Sequence, residues 1–121
     1  MPHTDILPHH HHEGLEENVL EHIPDLDEIR LVAEAFKQLG DPSRLQIFWV
    51  LCHCEECVAN LAAMVDMSSP AVSHHLRLLK AGGLVTSTRR GKEMHYRASD
   101  SELAQSLHLM IEKIGQISCP G

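Results

Sequence analysis

The sequence predicts a mainly α-helical fold with one small β-hairpin, on three observations. Two short segments with helical apolar spacing, Cys57 to Val65 and a second opening at Ser69, are separated only by a tight connection at Met67 and Ser68. Two runs of strand formers follow directly, Leu84 to Thr88 and Glu93 to Ala98, around the tip Arg89-Arg90-Gly91-Lys92. Between Met67 and Arg97 six arginines and lysines face the single acid Glu93, although the whole chain carries a formal net charge of −7. Helix, turn, helix and then a hairpin with a cationic tip is the order of a winged helix-turn-helix.

With 121 residues and 43% hydrophobic side chains, the chain has the size and composition of one compact domain, which excludes two full ones. No apolar run approaches the ~20 residues that span a bilayer, and no cationic, apolar export signal opens the chain, so the expectation is a cytoplasmic protein with no membrane partner. Residues 1–30 hold eight acids against the one base Arg30, so the remainder balances at zero. The first 24 residues add six histidines and three prolines and lack the apolar content of a core. They are expected to form a flexible, acidic, His-rich arm native to the chain, ahead of a DNA-binding and dimerisation domain at residues 25–118.

Each element has its own signal. From Asp25, the positions Leu26, Ile29, Val32, Ala33, Phe36 and Leu39 recur at helical spacing until Gly40 stops them. Asp41 then caps a second helix, Pro42 takes its first position, where a missing N–H costs nothing, and Leu45, Ile47, Phe48, Val50 and Leu51 make it apolar as far as Cys52. The third helix, from Cys57, turns Leu61, Ala62 and Val65 inward. Ser69 caps the fourth, with Pro70 first and Val72, Leu76 and Leu79 inward, and Gly82 and Gly83 end it. After the hairpin, Ser99 and Glu102 form a capping box before a last helix striped by Leu103, Leu107, Met110, Ile111, Ile114 and Ile117. So wide an apolar face on a terminal helix is most simply buried against its own copy, which predicts a homodimer through the last and first helices.

A helix following such a turn enters the major groove of double-stranded DNA by its N-terminal end. There Ser69, Ala71, Ser73 and His74 are the candidate base readers. Arg77, Lys80, Arg89, Arg90 and Lys92 are the candidate phosphate contacts, which position without reading sequence. His75 is expected to pack between helices.

These residues also carry a resemblance. Leu39-Gly40-Asp41-Pro42-Ser43-Arg44-Leu45-Gln46-Ile47, then Ser69-Pro70-Ala71-Val72-Ser73-His74-His75-Leu76-Arg77-Leu78-Leu79, then Gly83-Leu84-Val85 and Arg90-Gly91-Lys92 to Tyr96 resemble the ArsR/SmtB metal-sensing repressors over about residues 25–117. The resemblance implies a homodimeric winged helix that represses metal-resistance or efflux genes from an operator and leaves the DNA when the inducing metal ion binds.

Cys52, Cys54 and Cys57 lie within six residues, and Cys54-x-x-Cys57 has the spacing at which two thiolates converge on one ion. A place near a helix start lowers a thiol's pKa and favours the thiolate. Cys54 and Cys57 are therefore candidate metal ligands, and Cys52 is either a ligand or a core residue on the apolar face of its helix. The resemblance aligns Cys57 with a ligand that works with the N-terminal arm, which here offers His9, His10, His11 and His12. Such a mixed set suits Zn(II), Cd(II) or Pb(II) as effector. The positions that match the family's second site are Asp100, Glu102, Lys113 and Gln116, where a charged lysine cannot act as a ligand; that site is expected to be lost. His53 is expected to point outward without a role, His108 to lie at the surface or a dimer interface, and Cys119 to be free or to complete a site from the other subunit. The alternative on the same fold is a repressor switched by thiol oxidation, persulfide or arsenite at Cys52, Cys54 and Cys57. No acid–base constellation or βαβ pattern surrounds the cysteines, so the chain is not expected to be an enzyme.

Overall fold

The computed structural model describes residues 8–9 and 15–120, and the chain divides into two compact units, residues 1–33 and 34–121. In the first unit, within the stretch read as an arm, Leu15–His22 forms a helix, α1, and none of its residues is buried. Helix α2 spans Leu26–Gln38 and is capped by Asp25, whose carboxylate accepts from the Glu28 amide at 2.8 Å. Its expected inward residues Leu26, Ile29, Val32 and Phe36 are all exposed in the single chain, and only Ala35 is buried.

The second unit holds the core. Helix α3, Pro42–Leu51, begins as its sequence dictates: Asp41 is extended and its carboxylate accepts from the Arg44 amide at 3.0 Å, while Pro42 fills the first turn. Ile47, Phe48 and Leu51 of α3 join Leu61, Ala62 and Val65 of α4 (Val58–Val65) and Val72, Leu76 and Leu79 of α5 (Ser69–Ala81) in one apolar cluster. The α4–α5 turn is made by Asp66, left-handed at φ 55°, then Met67 and Ser68. Ser68, not Ser69, is the cap of α5: its hydroxyl accepts from the Ala71 amide at 3.2 Å. Pro70 is thereby moved to the second helical position.

Strands β2 (Val85–Arg90) and β3 (Glu93–Ala98) form the wing, with Arg90 opposite Glu93 and a two-residue tip of Gly91 and Lys92. Gly91 has φ +66°, a value that glycine adopts without strain. The expected hairpin is in fact a three-stranded sheet in the order β1-β3-β2, because Glu56–Cys57 (β1) pairs antiparallel with β3, Cys57 opposite His95. Cys57 is at the same time the N-cap of α4, as the sequence places it, although its side chain makes no capping hydrogen bond. It is an extended, buried strand residue that precedes α4.

Helix α6, Glu102–Gly115, is capped by Ser101, whose hydroxyl accepts from the Ala104 amide at 3.1 Å. Ser99, the expected cap, instead donates to the Gly83 carbonyl at 2.9 Å. Only Leu107 of the predicted stripe is buried and Ile111 half-buried, while Leu103, Met110, Ile114 and Ile117 stay exposed. Among the described residues, no helix is long and apolar enough to cross a membrane.

Candidate nucleic-acid interface and ligand cluster

Helix α5 presents one face to the core and the opposite face outward, as its spacing requires. Ser69 and His74 are exposed at its N-terminal half, Ala71 and Ser73 are half-buried, and Arg77 and Lys80 are exposed further along. At the wing, Arg89, Arg90 and Lys92 are all exposed. The cations differ in commitment. Lys80 Nζ donates to Ser87 Oγ at 2.6 Å, joining α5 to β2, and Arg90 grips Glu55 through two hydrogen bonds of 2.6 and 3.3 Å. The Arg90 hydrogen bond holds the Glu55 carboxyl below its ordinary pKa. The side chains of Arg77, Arg89 and Lys92 make no ion pair or hydrogen bond among the described residues, so their charge is available to an external polyanion.

His75 takes the packing role expected of it. Its half-buried Nδ1 accepts from Arg44 Nε at 3.3 Å, and Arg44 also donates to the Gln38 carbonyl at 3.1 Å, tying α3 to α5 and to the end of α2. Burial first, and then the adjacent Arg44 and His74 charges against the opposing pull of Asp41, lower the His75 pKa below 6.5. A histidine with a depressed folded pKa contributes stability that is present above its unfolded pKa and lost as pH falls through the folded one. The urea midpoint should therefore fall between pH 7 and pH 5.5, and His75→Gln should flatten that slope; parallel slopes would refute the assignment.

Cys52, Cys54 and Cys57 line two separate clefts. Cys52 and Cys54 line a cleft of about 320 Å³ with Glu55, Arg97, Gln105 and His108, whereas Cys57 lines a different one with Asn60, Glu93 and Tyr96. All four cysteines are unpaired. Burial pushes the Cys52 thiol up to about 12, and burial followed by the Glu56 charge raises Cys54. This reverses, for Cys54, the expected lowering by a helix start; its thiol donates to the Val50 carbonyl of the preceding helix at 3.5 Å. Of the four candidate ligand histidines of the arm only His9 is described, and it is exposed; His10, His11 and His12 lie outside the described residues.

A cluster that spacing does not reveal forms nearby. His53, just past α3, stacks tilted on Trp49 with ring centroids 4.5 Å apart, and meets His108 of α6 edge-on at 4.7 Å. Glu112, one turn beyond His108, accepts from Trp49 Nε1 at 3.3 Å. Donor atoms of His53, Glu112 and Cys119 lie within 4.8 Å of one another, and among the described residues no such grouping includes Cys52, Cys54 or Cys57. His53 is thus not an outward-pointing bystander and His108 is not simply a surface residue. Burial raises the Glu112 carboxyl, but hydrogen bonds from His108 and Trp49 outweigh it and leave its pKa below the ordinary value.

An exposed second helix after a tight turn, flanked by a cationic hairpin, defines a winged helix-turn-helix protein. Comparison with known proteins agrees. Residues 41–87 match the family described as bacterial regulatory protein, arsR family. The chain is 40% identical over 81 residues to the transcriptional repressor SmtB homolog of Synechocystis sp., covering 67% of this chain and 61% of that one. It is 39% identical over 75 residues to the cadmium resistance transcriptional regulatory protein CadC homolog of Staphylococcus aureus, covering 61% and 62%. The solution structure of the homodimeric winged helix-turn-helix DNA-binding domain of Mb0332 from Mycobacterium bovis matches with a TM-score of 0.67 at 29% identity, over 78% of this chain and 89% of that one. The chain belongs to the ArsR family of bacterial transcriptional regulators, a family of DNA-binding proteins and not of enzymes. It spans a little over three fifths of the length of these two curated relatives.

Proposed function

We propose that the chain is a metal-responsive transcriptional repressor that binds operator DNA as a homodimer and is released by Zn(II) or a soft heavy metal such as Cd(II) or Pb(II). The observation that carries this is the surface shared by the N-terminal half of α5 and the uncommitted cations Arg77, Arg89 and Lys92. The exposed apolar residues of α2 and α6 support a dimer, since Phe36, Met110 and Ile114 gain nothing in water and a second copy would cover them. A homodimer is also what the Mb0332 structure describes for that protein, and a cadmium response is what the CadC homolog's name describes for that one.

In this reading the ion acts on the connection from α3 to α4, where Cys54 and Cys57 lie, with His9 to His12 as arm ligands and Cys52 in the core. Metal there biases the dimer away from the geometry in which two α5 helices meet successive major grooves. Coupling of about 1–3 kcal/mol changes DNA affinity by roughly 5- to 150-fold. Fluorescence anisotropy with an operator duplex, with and without Zn(II), in the wild type and in Cys54→Ser/Cys57→Ser, tests it. Zinc should weaken only the wild type, and equal affinities in all four conditions would overturn metal control.

The second reading, a repressor switched by thiol oxidation, persulfide or arsenite, is favoured by one observation: every cysteine is a free thiol. The raised pKa of Cys52 and Cys54 works against it, because the thiolate is the reactive form. Native mass spectrometry distinguishes a bound ion from oxidised sulfur.

A further inference from the structure

We propose that His53, His108 and Glu112 form a binding site for one divalent ion of zinc-like chemistry, separate from Cys52, Cys54 and Cys57. Their facing atoms form a nearly equilateral triangle. His108 Nε2 is 3.0 Å from His53 Nε2 and 3.0 Å from Glu112 Oε2, and His53 Nε2 is 3.3 Å from the same oxygen. Ligands about 2.0–2.1 Å from a tetrahedral zinc ion stand roughly 3.3 Å from one another, so the triangle has the size of one face of such a coordination shell.

Hydrogen bonds alone do not account for this arrangement. A neutral imidazole nitrogen is either donor or acceptor, never both. If both Nε2 atoms carry protons, each can donate to Glu112, but the two N–H groups then oppose each other across 3.0 Å. If one is bare, its lone pair faces the carboxylate. A cation seated just off the plane of the triangle, equidistant from its corners, satisfies all three lone pairs together. The three side chains are only 14–24% exposed, so water does little to screen the mismatch when the centre is unfilled.

The surroundings orient these groups as ligands need. Cys119 Sγ lies 3.6 Å from His53 Nδ1, which engages the other ring nitrogen and leaves Nε2 turned toward the site. Trp49 Nε1 donates to Glu112 Oε2 at 3.3 Å and fixes the carboxylate. His108 and Glu112 are four apart on α6 and so share one face of it. Two imidazoles and one carboxylate suit Zn(II) or Co(II), and lack the thiolates that select Cu(I) or Cd(II). An ion here would cross-link the end of α3 to α6. That it would thereby regulate DNA binding rests on the proposed repressor function; the binding itself does not.

Zinc affinity of the full-length chain, measured against a chromophoric chelator, tests the site in a background of Cys54→Ser/Cys57→Ser with His9 to His12 changed to alanine. That background should still bind one Zn(II), and adding His108→Gln or Glu112→Gln should weaken binding by at least about 100-fold. In the otherwise unmodified wild type, two equivalents of Zn(II), enough for the cysteine site and this one together, should shift the Nε2 resonances of both His53 and His108 in nitrogen-15 spectra while Nδ1 remains protonated. This second readout does not depend on whether the variants fold. Loss of all tight binding in the background, or unmoved His53 and His108 resonances at two equivalents, would overturn the site. A chain that binds zinc here yet keeps its DNA affinity would sink the regulatory reading and leave the site standing.

Discussion

Phe48→Ala is expected to destabilise the domain by about 3–5 kcal/mol, the cost of emptying a fully packed aromatic position. Phe48 has no exposed surface, and it shares one cluster with Ile47, Leu61, Leu76, Leu79 and Leu84, each at most 1% exposed. Helix α5 and the wing rest on that cluster. A domain of this size has about 5–10 kcal/mol in all, so the variant should be largely or wholly unfolded well below the wild-type midpoint, with Tm lowered by roughly 12 °C or more. Trp49, the single tryptophan, adjoins the His53 cluster and reports unfolding directly. A urea midpoint within about 1 kcal/mol of wild type, at unchanged m-value, would mean that α3 is not the buried centre of the domain.

The same helix shows why much of the fold is legible in the sequence. Asp41 followed by Pro42 announces the start of α3 because a cap and a first-turn proline act through local backbone chemistry. Where two similar residues compete, locality is not enough. Ser68 and Ser69 can both cap, as can Ser99 and Ser101, and the choice is made at a distance: Ser99 is drawn to the Gly83 carbonyl, 16 residues away. Strand β1 is invisible in the sequence for a related reason. Two residues have no periodicity, and Glu56 and Cys57 are extended only because Tyr96 and His95 pair with them.

The candidate sites divide along the same line. The surface of α5 and the wing is readable because every residue in it lies between positions 69 and 92. The cysteine spacing is a local signal too, but spacing gives proximity along the chain and not direction, and the intervening strand sends Cys57 to a different cleft from Cys54. The cluster at His53 joins residues 55 apart. Its local traces are two pairs at i and i+4, Trp49 with His53 and His108 with Glu112, and half a cluster on a helix is commonly just a salt bridge.

Replacing Arg77, Arg89 and Lys92 together by alanine is expected to weaken DNA binding severely, and equally for operator and random duplexes. These three are the wing and α5 cations with no partner among the described residues, so their charge displaces counterions from phosphates instead of meeting an internal acid. Each phosphate neutralised contributes about 0.9 to the slope of log K against log salt, so the slope should become shallower by about 2.7 per protomer. Arg90→Ala should cost less, because the Arg90 guanidinium is already engaged by Glu55. Substitutions at Ser69, Ser73 or His74 should behave in the opposite way: the salt slope stays, and discrimination between operator and random DNA falls by about 1–3 kcal/mol for each base-reading side chain removed. Anisotropy titrations over a salt series resolve the two classes. If the triple variant keeps the wild-type slope, phosphates are met by another surface, and α5 with its wing is not the DNA-binding face.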